Sequence, residues 1–139
     1  MIIKADGRYI EITILHRTHP ESIDFEDANW LDAQIKIEVP GFNGLYGTYL
    51  RANDFEQFRE DLEKIIMYQS DKIEFSTMEE GIYLKGLLNA TGNIKWKGVA
   101  KSSWGGSCLT FEIESDYSSI NSLLNQAKEI LREFPIMGL

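Results

Sequence analysis

Cysteine occurs once in these 139 residues, at Cys108, so no intramolecular disulfide can hold the chain and the fold must rest on a buried apolar core. Histidine occurs twice, at His16 and His19, at the end of a strand-like run. A spacing of three on a strand turns the two rings to opposite faces, which is poor geometry for a shared metal. No apolar run approaches the roughly 20 residues a membrane-crossing helix needs. The opening Met1-Ile2-Ile3-Lys4-Ala5-Asp6-Gly7 has no long apolar region behind a basic start, so no secretory signal is visible. These absences point to a cytoplasmic protein with no membrane partner. Basic residues are also in short supply. Fourteen Lys and Arg stand against 22 Asp and Glu, a formal charge of −8. Phosphate backbones attract Lys- and Arg-rich surfaces and repel a fold this acidic, which argues against direct nucleic-acid binding. The same field favours a basic partner.

Catalytic and cofactor motifs are missing as well. Gly105-Gly106-Ser107-Cys108-Leu109 lacks the last glycine of a nucleophile elbow. Gly41-Phe42-Asn43-Gly44-Leu45-Tyr46-Gly47 has neither dinucleotide nor P-loop spacing. Asp24, Glu26 and Asp27 do not follow the order of a calcium loop. Cys108 has only Lys101 as a basic neighbour and reads as a packing or inert edge thiol. No catalytic residue, metal ligand or cofactor is expected, and the chain does not read as an enzyme.

What is present is a strong alternation of strand and helix periods. Hydrophobic residues make up 43% and charged residues 26%, ordinary globular usage for a single domain over residues 1–139. Ile10, Ile12 and Ile14 alternate with Glu11 and Thr13, and Asp6-Gly7 before them is a hairpin-type turn. After an acidic loop over 18–28, Leu31, Ala33, Ile35, Ile37 and Val39 face one side and Asp32, Gln34, Lys36 and Glu38 the other. Pro40 to Gly44 turns the chain into a strand over Leu45–Leu50, so that strands fill residues 1–51. A helix over 54–69 is predicted, capped by Asn53 with Glu56 three residues on, burying Phe55, Phe58, Leu62, Ile65 and Ile66. Strands return over 72–115. Leu88 opposite Ile94 would set Gly86 under Trp96, and one further register places Lys97 opposite Glu112 and Lys95 opposite Glu114, a two-residue slip that leaves Lys95 opposite Glu112 being the alternative. A second helix over 117–134, opening near Asp116, buries Ile120, Leu123, Leu124, Ala127, Ile130, Leu131 and Phe134 and ends at Pro135. The expected class is α+β, an antiparallel meander of about seven or eight strands packed against two amphipathic helices.

The order of certain short motifs carries more than any one of them. Asp27-Ala28-Asn29-Trp30-Leu31 precedes the clearest strand, and Gly41-Phe42-Asn43-Gly44 follows it. Phe58 with Leu62-Glu63 marks the first helix, Gly92 with Ile94 and Gly98 the later strands, and Leu109-Thr110-Phe111-Glu112 leads through Asp116 to the second helix. In this order the chain resembles the WapI-type immunity proteins, from about Tyr9 to Phe134. That resemblance implies a non-catalytic bacterial inhibitor, which binds the C-terminal toxin domain of a contact-dependent inhibition protein of the Rhs/YD-repeat type. Such toxins are commonly RNA-cleaving. The family carries over no binding residue. Read from the residues alone, the expected contacts are Glu21, Asp24, Glu26 and Asp27 of the acidic loop, with Asp32 and Trp104. The protein is expected to be monomeric, a weak homodimer being the alternative. Two other classes stay open: a small-ligand carrier with an apolar pocket lined by Trp96, Phe111 and Leu84, and a structural or regulatory module acting through sheet-edge pairing.

Overall fold

A computed structural model describes residues 1–103 and 105–139. Four strands, β1 (Ile2–Ala5), β2 (Arg8–Arg17), β3 (Trp30–Val39) and β4 (Phe42–Arg51), form an antiparallel sheet in chain order. A one-turn helix α1 (Phe25–Ala28) lies between β2 and β3, and α2 (Ala52–Ile66) follows β4. Strands β5 (Lys72–Phe75), β6 (Ile82–Leu88), β7 (Asn93–Lys101) and β8 (Cys108–Asp116) form a second antiparallel sheet, again in chain order, and α3 (Ser119–Glu133) closes the sequence of elements. The α+β class and the two amphipathic helices are as expected, and the meander divides into two four-stranded sheets. Packing of α2 on α3 and the approach of β1 to β8 tie the halves together.

Local chemistry accounts for most boundaries. Asp6 and Gly7 both take positive φ, at 49° and 75°, which is what a two-residue hairpin turn demands. The hairpin between β3 and β4 needs only Pro40 and Gly41, the glycine at φ 83°. Strand β4 therefore starts at Phe42, three residues before the expected start, because Asn43 and Gly44 read as turn residues although they pair with Glu38 and Ile37. The helix starts also differ from expectation. Helix α2 begins at Ala52, and the carboxylate of Asp54 accepts the backbone N–H of Arg51 at 2.8 Å. Asn53 lies inside the first turn with its side-chain oxygen buried and unpartnered, so it is not the cap. Helix α3 starts at Ser119, since the Asp116 carboxylate accepts the N–H of Ser118 at 2.9 Å and spends its capping capacity on the turn before the helix.

The core lies between the helices and both sheets. Phe55 and Phe58 of α2 meet Phe75 at centroid distances of 5.1 and 5.5 Å, and Phe58 meets Trp96 at 6.2 Å. Registers Leu88↔Ile94, Gly86↔Trp96, Lys97↔Glu112 and Lys95↔Glu114 are as read from the side chains. The ion pair that forms is the diagonal one, Lys95 to Glu112 at 3.5 Å. Large rings cover two strand glycines. A Cβ on Gly86 would stand 2.9 Å from the Trp96 ring, and one on Gly98 would stand 2.1 Å from Phe111. Trp96, Phe111 and Leu84 are thus buried packing residues, and the larger clefts of the molecule are lined by other side chains. The Trp96 indole N–H is satisfied by Ser115 Oγ at 3.0 Å.

Candidate partner-binding site

The acidic segment is more ordered than a loop. Asp24 stands before α1 and its carboxylate accepts the N–H groups of Glu26 and Asp27, at 2.8 and 3.3 Å. That leaves Glu21, Glu26 and Asp27 exposed as the charged outer surface of the segment. Arg51 sits beneath. Its guanidinium lies 3.4 Å from Glu26 Oε2, 5.9 Å from the Phe25 ring and 5.6 Å from the Trp30 ring. The Glu26 pair is open to water and adds little; the two aromatic faces hold the arginine in place.

Asn29 anchors the same segment from inside. It is fully buried, and its amide NH₂ donates to Phe25 O and to Met137 O, both at 2.9 Å. Its side-chain oxygen accepts the N–H of Met137 at 2.9 Å. Arg17 adds bonds to Ala28 O at 2.7 Å and to Pro135 O. The Asn-Trp-Leu mark in the sequence is therefore a clamp between the acidic segment and the C-terminal residues. Three backbone groups depend on one buried side chain.

Asp32 lies further along β3, opposite Tyr49 of β4 and His16 of β2. Its carboxylate is 3.3 Å from His16 Nδ1, which also lies 3.0 Å from Arg17 O. It lines a cleft of about 910 Å³ where the first sheet meets two turns of the second. Leu15, His16, Asp32, Gly47, Thr48 and Tyr49 supply one side, and segments 79–81, 101–103 and 105–108 the other. Tyr46 fixes this junction by donating its hydroxyl to Gly81 O at 2.6 Å. Lys101 pairs with Glu80 at 3.0 Å. Cys108 is exposed on the cleft wall opposite Lys101, so it is not a packing residue. Of the six residues expected to bind a partner, Asp32 lines the cleft, while Glu21, Asp24, Glu26 and Asp27 lie outside its lining on the neighbouring acidic segment. Trp104 falls outside the described residues.

Burial shifts two groups near this region. Asp54, tucked behind Arg51, is pushed up to about 6 by desolvation, against the pull of the Arg51 N–H and guanidinium. Burial also raises the Tyr46 hydroxyl, with Cys108 adding to the effect. A second cleft, about 970 Å³, runs between β1, the end of β8 and the start of α3, and Asp6, Glu114, Asp116, Ser119 and Gln126 help to line it. Among the described residues, no three His, Cys, Asp or Glu side chains stand close enough to hold a metal ion. Nor is any described helix long and apolar enough to cross a membrane.

The model of the immunity protein WapI-like family matches residues 1–135. The chain belongs to that family. The WapI-like match runs almost the full length of the fold. Comparison with curated proteins returned no match. Two solved structures are similar to this chain. One, from crystal structures of trypanosoma bruciei MRP1/MRP2, is 14% identical with a TM-score of 0.52, covering 91% of this chain and 75% of that one. The other, a guideRNA-binding protein complex bound to a gRNA, is 14% identical with a TM-score of 0.49, covering 91% and 79%. At such identity the first establishes a shared fold for this WapI-like chain and nothing about its ligand. What sequence reading missed in the site was the cleft itself, which joins residues far apart in the chain, and Arg51, which looked like the last residue of a strand.

Proposed function

We propose that this protein neutralises the toxin domain of a contact-dependent inhibition system by binding it directly in the cytoplasm, without catalysis and without a cofactor. The observation that carries the reading is the WapI-like family match over residues 1–135. The toxin is basic and nucleolytic in this reading, because a net charge of −8 steers cationic partners and repels phosphate backbones. The residues proposed to meet it are Glu21, Asp24, Glu26 and Asp27 of the acidic segment, Asp32, and Trp104, which lies outside the described residues. Occupying the toxin's cleft or its substrate path is how such a partner silences it. Exposed acids on the rim accelerate encounter, and apolar contacts at the centre set the lifetime of the complex.

The test is a titration against the C-terminal domain of the repeat-bearing surface protein encoded beside this chain, at low and at physiological salt. Nanomolar affinity that weakens as salt rises is the expected result. A folded toxin domain that fails to bind at micromolar concentration overturns the assignment.

A further inference from the structure

Each four-stranded sheet has two outer strands, and in this protein one of the four is unlike the rest. Nature protects free strand edges by keeping them short, by bulging them, or by placing charges and proline on them. Strands β1 and β5 have four residues each and carry Lys4, and Lys72 with Glu74. Strand β8 carries Glu112, Glu114 and Asp116. Strand β4 has ten residues, pairs with β3 without a bulge, and from Phe42 to Leu50 contains no charged residue and no proline. Phe42, Leu45 and Tyr49 are 63%, 65% and 50% exposed on it. In an antiparallel ladder every second residue turns its N–H and C=O away from the neighbouring strand, so this edge presents a row of donors and acceptors with no backbone partner among the described residues.

The glycines of β4 are a second, independent sign. Glycine weakens a strand, and inside a sheet it marks a place where another group comes close. Gly86 and Gly98 obey that rule within the molecule, under Trp96 and Phe111. Gly44 and Gly47 do not. Neither has a positive φ, a Cβ at Gly44 would meet nothing within 4 Å, and one at Gly47 only Ala33 O at 3.7 Å. Gly47 is a gap between exposed Leu45 and Tyr49, and it opens on the cleft whose walls carry Asp32, Glu79 and Glu80. Against these acids stand His16, 3.3 Å from Asp32, and Lys101, paired with Glu80, so the three acids outnumber the cations that face them.

We propose that the toxin domain docks by adding an extended strand to the free edge of β4, with a bulky side chain seated over Gly47 and basic side chains facing Asp32 and Glu79. The inference rests on the toxin-binding reading above. Main-chain hydrogen bonds then supply the affinity, and the Gly47 seat and the flanking acids set which strand fits.

The experiment compares the toxin-domain affinity of the wild type, Gly47→Val and Leu45→Lys, with Asn125→Lys on α3 as a control of equal charge change. It is run alongside thermal melts and amide hydrogen exchange of the free and bound protein. Gly47 has open space and an ordinary φ, so Gly47→Val should melt at or above the wild-type temperature. Both β4 variants are expected to bind at least tenfold more weakly and the control within twofold, while binding slows exchange of the edge-facing β4 amides. If the wild type binds but both β4 variants keep its affinity and the β4 amides stay unprotected, strand addition is wrong and the immunity reading survives. If the wild type does not bind, both fall. Protection of β4 in the protein alone, rising with concentration and lost in Leu45→Lys, would make a second copy the occupant and overturn the toxin-strand assignment.

Discussion

At the scale of single residues, one buried and one half-buried polar group near the acidic segment give opposite kinds of leverage. Asn29 satisfies Phe25 O and both backbone groups of Met137. Asn29→Ala removes that partner from all three and leaves a void where a fully buried side chain stood, and a loss of about 1 to 3 kcal/mol is expected in urea denaturation. Asp54 is a burden on the folded state at neutral pH. Its folded pKa of about 6 lies above its ordinary 3.8, so between those values the folded protein holds a proton that the unfolded chain has released. Stability should therefore fall as pH rises from about 4 to about 6 and level off above. Asp54→Asn keeps an oxygen for the Arg51 N–H and removes the charge. It should flatten that slope and raise stability at pH 7, as measured by melting temperature across the pH series.

At the scale of elements, the strand glycines sort into covered and uncovered, and the two kinds should respond oppositely. Gly98→Val drives a branched side chain into Phe111 and should destabilise by about 1 to 3 kcal/mol. Gly47→Val meets open space and should be neutral or gain up to about 1 kcal/mol. The covered pair Gly86–Trp96 was legible in the sequence because alternation on β6 and β7 fixes which residues face each other once one pair is chosen. The same logic read β3 and the buried stripes of both helices correctly. It failed where polar side chains compete for backbone groups. Asn53 has capping chemistry, but Asp54 accepts the N–H of Arg51 and the helix is capped two residues earlier, and Asp24 makes a helical turn of what reads as plain acidic loop. The cleft was illegible for a different reason. His16, Asp32 and Tyr49 meet within the first sheet, but Glu80 and Cys108 join them only when the two sheets are set against each other, and no local period encodes that.

At the scale of the whole molecule, the excess of acidic residues should show itself in rates. Replacing Glu21, Glu26 and Asp27 together by their amides spares the Asp24 cap and removes three exposed charges. Association with a basic toxin domain should slow severalfold at low salt and dissociation should barely change. The difference should vanish as ionic strength rises past the range where about 10 Å of solution screens a charge. The order of the strands has a kinetic meaning too. Every strand pairs only with its neighbour in the chain, four and then four, so both sheets can zip up from adjacent hairpins without a distant segment having to find its place. What must travel far is the docking of one half on the other through α2, α3 and the approach of β1 to β8. Loop closure over half the chain then sets the folding barrier, and a mutation at that seam should slow refolding where an equal destabilisation within one hairpin leaves the refolding rate alone and hastens unfolding.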